Sequence, residues 1–252
     1  MKKEKEEVNM PIGVIINAVS VAIGGILGAL VGNKLNEDFK TKINMIFGAC
    51  SMAMGIGSIV LMKNMPAVVF SVIIGTALGL AIHLGDRINT AGAGMQKVIS
   101  KFVKADTSRI PEEEFMATLI TVIVLFCSSG TGIYGAIVSG MSGDHSILIA
   151  KSILDLFTAM IFACTLGMVV STIAVPQFVI FLVLFLCAGL IFPMTTPDMI
   201  NDFKACGGIL MLATGFRMIK VKMFPTADMI PAMVLVMPIS FFWTTYVLPL
   251  VS

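Results

Sequence analysis

Long apolar runs separated by short polar segments form the main pattern of this chain. A helix that crosses the hydrocarbon core of a membrane needs about 20 predominantly apolar residues. Runs of this kind predict about eight membrane spans, near 11–31, 44–62, 66–84, 115–140, 148–172, 176–194, 205–219 and 230–250. Little sequence lies between them. The pattern therefore predicts an all-α, polytopic transmembrane helix bundle, with a polar N-terminal segment (1–10) followed by a single transmembrane domain (11–252).

Glycine and proline recur with similar spacing near the two ends of the chain. The first set is Gly28, Gly32, Gly48, Gly55 and Pro66, and the second is Gly189, Pro193, Gly208, Gly215 and Pro231. With eight spans the two sets are an odd number of crossings apart, so they run in opposite directions. This predicts an inverted-topology internal repeat, spans 1–3 (11–84) against spans 6–8 (176–250), as in many secondary transporters.

Residues 88–104 have a different pattern, which predicts an amphipathic helix. Apolar residues recur there at helical spacing, while Lys97, Lys101 and Lys104 form a basic face. We expect this helix to lie at the membrane surface, where anionic lipids attract lysine. The central part of the domain, 113–172, then contains spans 4 and 5.

Composition excludes an ordinary soluble domain, because 57% of the residues are hydrophobic and only 13% are charged, with a mean hydropathy of +0.98. Lysine and arginine are concentrated in the loops after spans 1, 3 and 7. The positive-inside rule then predicts that these loops are cytoplasmic and that both termini are outside, although the three N-terminal lysines oppose this orientation. Nothing in this distribution indicates nucleic-acid binding.

Span 4 contains a polar interruption, Ser128, Ser129, Gly130, Thr131 and Gly132, which we expect to be non-helical. It predicts either one kinked span or a re-entrant pair of half-helices. Broken helices persist in membranes only where protein or a water-filled cavity satisfies the freed backbone groups. The interruption is therefore either a packing kink or a site for a ligand or ion.

Span 5 contains one deep carboxylate, Asp155, with Lys151 and Thr158 on the same helix face. Charged residues at membrane depth normally face the interior of a bundle. One hypothesis is a structural ion pair with Lys151. The other is that Asp155 binds a proton or cation and faces the interruption in span 4.

Further polar residues complete the candidate substrate or ion pathway. They are Asn17 in span 1, Thr214 in the short, glycine-interrupted span 7, and the group between spans 6 and 7, Thr195, Thr196 and Asp198. The spacing of cysteine and histidine predicts no metal site, and no motif indicates a cofactor.

Small residues spaced four apart allow close approach of helix backbones in lipid. Such faces occur in span 1 (Gly24, Gly28, Gly32), in span 2 (Ala49, Ala53, Gly57) and in span 3 (Gly75, Gly79). They predict tight packing within the chain, or a homo-oligomer formed through these faces.

Several segments in order resemble the YqgA/YdfK-like family of bacterial multi-pass membrane proteins, a family of unknown function. They are VLFCSSGTGIYGA, GDHSILIAKSILDLFTAMIFAC, TTPDMI, GGILMLATGFRM and VKMFP. The resemblance runs from about residue 10 to the C-terminus. It implies a multi-pass protein of the bacterial cytoplasmic (inner) membrane, and it transfers no catalytic or binding residue.

The main functional hypothesis is a small secondary transporter or channel-like carrier of a small polar solute or ion, with its site at the broken helix. The alternative is an intramembrane structural or regulatory subunit that packs through glycine-rich faces. An enzyme is not expected, because only His83 and His145 are available as histidine bases and no G-x-S-x-G motif occurs. The expected partners are membrane lipid and the solute or ion.

Overall fold

The computed structural model describes residues 10–31, 36–102 and 111–251, and this part of the chain is helical with no β-strand. The twelve α-helices described there are α1 (Ile12–Val31), α2 (Glu37–Ile59), α3 (Met65–Ala81), α4 (Leu84–Phe102), α5 (Glu112–Cys127), α6 (Gly130–Ser142), α7 (Ser146–Leu166), α8 (Val169–Thr172), α9 (Ala174–Ile191), α10 (Pro197–Met218), α11 (Ile230–Phe242) and α12 (Leu248–Val251). A π-helical turn, Trp243–Val247, joins α11 to α12.

Six described stretches are long and apolar enough to cross a membrane, which confirms a polytopic helical protein but not the eight predicted spans. They are Ile12–Val31, Asp38–Ile59, Thr118–Ser142, Ser146–Leu166, Val169–Gly189 and Ile230–Leu250. Helices α3 and α4, bent by 59° at their junction, would form a seventh if taken together. Helix α10 is not among them; its sequence includes two aspartates, a lysine and an arginine.

Two helices begin earlier in the chain than the spans that were predicted for them, because polar residues cap their N-termini. Helix α2 begins at Glu37, where the Asn36 side chain accepts a hydrogen bond from the Asp38 amide at 3.0 Å. Helix α10 begins at Pro197, with the Thr196 hydroxyl accepting from the Met199 amide at 3.3 Å. Helix α10, with 22 residues, is therefore longer than the short apolar run from which span 7 was predicted.

The interruption in span 4 is shorter than expected. Only Ser128 and Ser129, hereafter the helix break, are non-helical, and Gly130 begins α6. The Ser129 hydroxyl accepts a hydrogen bond from the Gly132 amide at 3.1 Å and so satisfies one donor of the new helix. Because this cap restarts the helix at once, Gly130, Thr131 and Gly132 are helical, and 118–142 forms one candidate span.

Helices α1 and α7 pack closely and run in the same direction. A methyl group on Gly24 would lie 2.2 Å from the Leu156 carbonyl oxygen, and one on Gly28 would lie 2.1 Å from the Met160 carbonyl oxygen. Only glycine permits this approach of the two backbones.

Helices α2 and α10 cross in opposite directions through four glycines. A methyl group on Gly55 would lie 2.6 Å from the Gly208 carbonyl oxygen, and one on Gly208 would lie 2.6 Å from that of Gly55. Gly48 and Gly215 meet in the same reciprocal way, at 3.0 and 2.7 Å. We call this contact the glycine crossing. Its direction is the one that an inverted repeat requires.

The predicted small-residue faces thus pack largely within the chain. Gly75 and Gly79 contact Ala232 and Asp228 on the α11 side, whereas Gly32 lies outside the described residues. The face formed by Ala49, Ala53 and Gly57 is exposed, and nothing lies within 4 Å of a methyl group placed on Gly57. The predicted homo-oligomer therefore depends on this face and stays a prediction.

Helix α4 begins earlier than the predicted amphipathic helix, at Leu84 rather than 88, and it is described to Phe102. Ile99 is buried against α5, while Val98 is exposed. Lys104 lies outside the described residues. A position of α4 at the membrane surface stays a prediction.

Candidate functional site

A cavity of about 420 Å³, hereafter the polar cavity, lies among α2, α4, α5, α7, α10 and the loop after α10. Many of its lining side chains carry amide, hydroxyl or cationic groups, and the others are apolar. The lining residues are Asn44, Asn89, Thr121, Val124, Leu125, Ser128, Ser129, Thr158, Phe162, Thr214, Arg217, Met218, Lys220, Met223, Thr226 and Ala227. A concave site with a few convergent polar groups is the usual form of a small-molecule site.

The inner end of the polar cavity lies at the helix break. Ser128 and Ser129 line it there, together with Thr158 from α7 and Thr214 from α10. The Thr214 hydroxyl donates a hydrogen bond to the Leu210 carbonyl oxygen at 2.9 Å, so its oxygen can still accept one. Hydroxyl groups from three parts of the chain therefore meet at the point where the span is interrupted.

The outer end of the polar cavity carries two cations. Arg217, in the last turn of α10, donates through Nη1 to the Phe224 carbonyl oxygen at 3.2 Å and to the Thr226 hydroxyl at 2.7 Å. Lys220 follows the helix with a left-handed backbone, φ = 57°. Its amide donates to the Arg217 carbonyl oxygen at 3.0 Å, and the Val221 amide donates to that of Phe216 at 3.2 Å.

Behind the helix break lies a buried set of polar side chains from three helices, hereafter the central network: Asn17, Lys151, Asp155 and Gln177. Asp155 accepts hydrogen bonds at Oδ2 from Lys151 Nζ, from Asn17 Nδ2 at 2.9 Å and from Gln177 Nε2 at 3.2 Å. Lys151 and Asp155 are 4% and 7% exposed, so the charges form a buried ion pair.

Gln177 connects the central network to the end of α5. Its Nε2 is also within hydrogen-bond distance of the Asn17 Oδ1, at 2.9 Å, and of the Phe126 carbonyl oxygen, at 3.3 Å, so its two N–H groups are shared among three acceptors. That carbonyl belongs to the last turn of α5, next to the helix break. The Oε1 of Gln177 is buried and has no hydrogen-bond partner among the described residues.

One member of the central network packs beside the helix break, and another lies one helical turn from the cavity wall. A methyl group on Gly132 would lie 2.9 Å from Lys151 Cε, so the lysine stem packs against the first turn of α6. Thr158, which lines the cavity, follows Asp155 by three residues and so lies on the same face of α7, one turn further along. The ion pair of the first hypothesis is present, and proton or cation binding by Asp155 stays a prediction.

A second buried carboxylate, Asp202 on α10, was not predicted. Its Oδ1 accepts from the amides of Lys63 and Asn64 at 2.8 and 2.9 Å, and its Oδ2 accepts from Asn64 Nδ2 at 2.9 Å and from the Ser240 hydroxyl at 2.7 Å. Four donors thus satisfy the carboxylate. It fixes the loop between α2 and α3, and α11, to the start of α10.

The structure brings most, but not all, of the predicted pathway residues together. Those in the cavity wall are Ser128, Ser129, Thr158 and Thr214, and those behind the break are Asn17, Gly130, Thr131, Gly132, Lys151 and Asp155. Thr195, Thr196 and Asp198 lie elsewhere, because they precede or begin α10, whose opposite end lines the cavity. Thr195 bonds to the Phe192 carbonyl oxygen, and Thr196 caps α10.

Several residues of the site were missed from the sequence. Gln177 is the only polar residue in α9, and that isolation was a usable signal. Arg217 and Lys220 were interpreted only as loop charges. Asn44 on α2 and Asn89 on α4 gave no signal. Among the described residues, no group of three or more His, Cys, Asp or Glu side chains is placed to hold a metal ion.

Comparison with known proteins identifies relatives over nearly the whole chain. The family model described as "Protein of unknown function (DUF554)" matches residues 12–241. The chain is 46% identical to "Uncharacterized protein YqgA" of Escherichia coli K12 over 237 residues, 94% of this chain and 99% of that protein. It is 27% identical to "Uncharacterized membrane protein YdfK" of Bacillus subtilis 168 over 229 residues, 88% of this chain and 93% of that protein. No solved structure matches. These matches confirm the family that the sequence resembles.

Proposed function

The chain belongs to the DUF554 family of unknown function. From the site described above, we propose that this membrane protein is a small secondary carrier of a polar solute. The observation that carries the proposal is the polar cavity, which reaches from exposed residues of the α10–α11 loop to an interrupted span. In carriers of known mechanism, substrate sites are typically formed at discontinuous helices near the membrane midplane. We place the protein in the cytoplasmic (inner) membrane of a bacterium.

The central network gives the proposed carrier its coupling group. A buried ion pair is costly unless further hydrogen bonds satisfy it, and ionisable residues at membrane depth are usually functional. Asp155 lies one helical turn from the cavity wall, and Lys151 packs on α6 at the break. Proton or cation uptake by Asp155 would free Lys151 and loosen the contact between α7 and α6.

The proposed carrier has eight crossings arranged as an inverted repeat. In that arrangement α3 and α10 also cross the membrane, and α1–α3 correspond to α9–α11. The reciprocal glycine crossing and the matching prolines at the starts of α3 and α11 support it. Two halves related in this way can rock about a shared site to expose it alternately to each side.

The orientation follows from the basic residues. The end of the polar cavity at Lys220 and Arg217 lies toward the lysine-rich loop after α10. The positive-inside rule assigns this loop to the cytoplasm, as it does the other lysine-rich loops. The proposed state is therefore one in which the cavity faces inward and both termini are outside.

A second candidate function is an intramembrane structural or regulatory subunit without transport. The exposed face of Ala49, Ala53 and Gly57 favours it, because such faces accept a partner helix. Transport measurements separate the two functions.

The test of the carrier is uptake into proteoliposomes of the purified full-length protein. Labelled lactate, succinate, glycine, glycerol and choline would be supplied with and without a pH gradient, with empty liposomes as the background. We expect at least one solute to accumulate above background. We expect Asp155→Asn to abolish accumulation while the protein still folds, because the amide keeps the shape of the carboxylate but cannot carry its charge. The matched control is Asp86→Asn, which changes an exposed carboxylate on α4.

Two results would count against the proposal. Background uptake of every solute would contradict the carrier. Full activity in a variant combining Asp155→Asn with Lys151→Met would show that Asp155 has only a structural role.

A further inference from the structure

The charges around the polar cavity indicate the class of solute: we infer that the site takes a small organic anion whose carboxylate binds Arg217 and Lys220. This inference rests on the proposed carrier function and makes it specific. Of the sixteen lining residues, two are cationic and none is Asp or Glu. The Lys151–Asp155 pair behind the break is neutral as a unit. The cavity therefore carries an excess of positive charge.

The carboxylate nearest in sequence to the lining residues already has another partner. Asp228 follows Ala227, and its Oδ1 accepts a hydrogen bond from the Gly85 amide at 2.8 Å. No ion pair between Asp228 and either cation is found among the described residues. Neither cation is therefore paired with a carboxylate of the described residues, and each remains available to an anionic ligand.

Arg217 is oriented for such a ligand. Its two hydrogen bonds use Nη1 alone and attach the guanidinium to the α10–α11 loop. Among the described residues the other N–H groups of the guanidinium have no hydrogen-bond partner. A guanidinium that is fixed on one side can bind a carboxylate in the bidentate geometry that arginine favours.

Lys220 lies at a backbone position that normally suits glycine. It is the left-handed residue of a complete Schellman motif after α10, defined by the two amide hydrogen bonds of Lys220 and Val221. A side chain there is unfavourable for the backbone, and Lys220 forms no ion pair among the described residues. Glycine at this position could not supply the positive charge that Lys220 adds to the cavity wall.

The remaining lining indicates an organic anion rather than an inorganic one. Val124, Leu125 and Phe162 supply apolar wall, which a carbon skeleton can contact and a hydrated chloride or phosphate cannot. The hydroxyls at the helix break would bind polar groups at the far end of the solute. The cavity, with about 420 Å³, has room for an organic acid of a few carbon atoms.

The inference is tested by ligand-induced thermal stabilisation of the purified full-length protein at constant ionic strength. The probes are lactate and succinate, with chloride and phosphate as inorganic anions, glycerol as a neutral solute and choline as a cation. We expect saturable stabilisation by lactate or succinate only. Arg217→Gln and Lys220→Gly should each weaken apparent affinity about tenfold or more, since each removes a charge-assisted hydrogen bond.

The matched control is Lys222→Gly, which removes a lysine from the same loop that does not line the cavity. It should leave affinity unchanged. Arg217→Gln also removes two loop hydrogen bonds, so Lys220→Gly is the decisive variant, because glycine suits the backbone there and the protein should fold at least as well.

The outcomes separate the inference from the carrier function. Binding and uptake of glycerol or choline without the organic anions would overturn the inference and leave the carrier intact. Equal stabilisation by chloride or phosphate, or equal loss of affinity in Lys222→Gly, would also overturn it. If no solute of any charge binds or accumulates, the proposed function fails and the inference with it.

Discussion

Asp155 and Asp202 are both buried carboxylates, but their partners differ in kind. Asp155 is paired with a buried cation and two amide side chains, beside a helix break. Asp202 has no cationic partner in the described part of the chain. It accepts hydrogen bonds from two backbone amides, an amide side chain and a hydroxyl. The first arrangement can change when a proton or cation arrives, whereas the second fixes three elements in place.

We therefore expect Asp202→Asn to destabilise the protein. Asparagine has one acceptor oxygen where aspartate has two. Its NH₂ group would face a donor whose hydrogen bond Asp202 now accepts. Leaving a buried donor unpaired costs about 2 kcal/mol. Thermal unfolding in detergent measures the loss. Asp198, in the first turn of the same helix, has no side-chain hydrogen bond among the described residues. Asp198→Asn should therefore cost at most about 1 kcal/mol. Equal effects of the two variants would contradict the role assigned to Asp202.

At this scale the sequence was a partial guide to the site. Asp155 and Lys151 stood out because charges in an apolar run are rare, and the structure pairs them with each other, with the Lys151 stem packed against Gly132. Asp202 did not, because its partner Asn64 is 138 residues away and no local pattern pairs them. Arg217 and Lys220 could not be assigned either, since a basic residue at a helix end is equally typical of a solvated loop.

Among the elements, the pairing of α2 with α10 depends on glycine at four positions. The spacing of these glycines was visible in the sequence, and together with the predicted eight spans it led to the expectation that the two segments run in opposite directions. The starts of α2 and α10 were not predicted, because hydropathy does not register polar caps such as Asn36 and Thr196. Helix propensity and capping decided those boundaries instead.

The glycine crossing gives a prediction with a control on the same helix. Gly55→Ala would place a methyl group against the Gly208 carbonyl oxygen, and we expect a loss of about 2 kcal/mol, typical of overpacking. Gly57→Ala points to open space and should gain up to about 1 kcal/mol from helix propensity. The thermal stability of the two variants would be compared in detergent. A tolerated Gly55→Ala would mean that the two helices can separate without cost.

At the scale of the molecule, each of the first three helices packs mainly against a helix from the second half. Helix α1 pairs with α7, α2 with α10 and α3 with α11. We expect a chain cut between residues 106 and 107 to yield two pieces that are unstable when expressed separately and assemble when expressed together. Co-purification from membranes through a tag on one piece measures this. An N-terminal piece that is stable and folded on its own would contradict the dependence of the first three helices on the second half of the chain.

The same pairing has a consequence for synthesis. Gly55 leaves the ribosome about 150 residues before Gly208, which at typical translation rates is a wait of roughly 8–30 s. Over that interval the nascent α2 lacks α10, its main native partner, and Asn17 on α1 must remain in lipid until Asp155 is inserted. Late pairing of this kind leaves the young chain dependent on the insertion machinery and exposed to membrane proteases. A premature stop before α10 would therefore produce a polypeptide that is inserted but cannot complete its assembly.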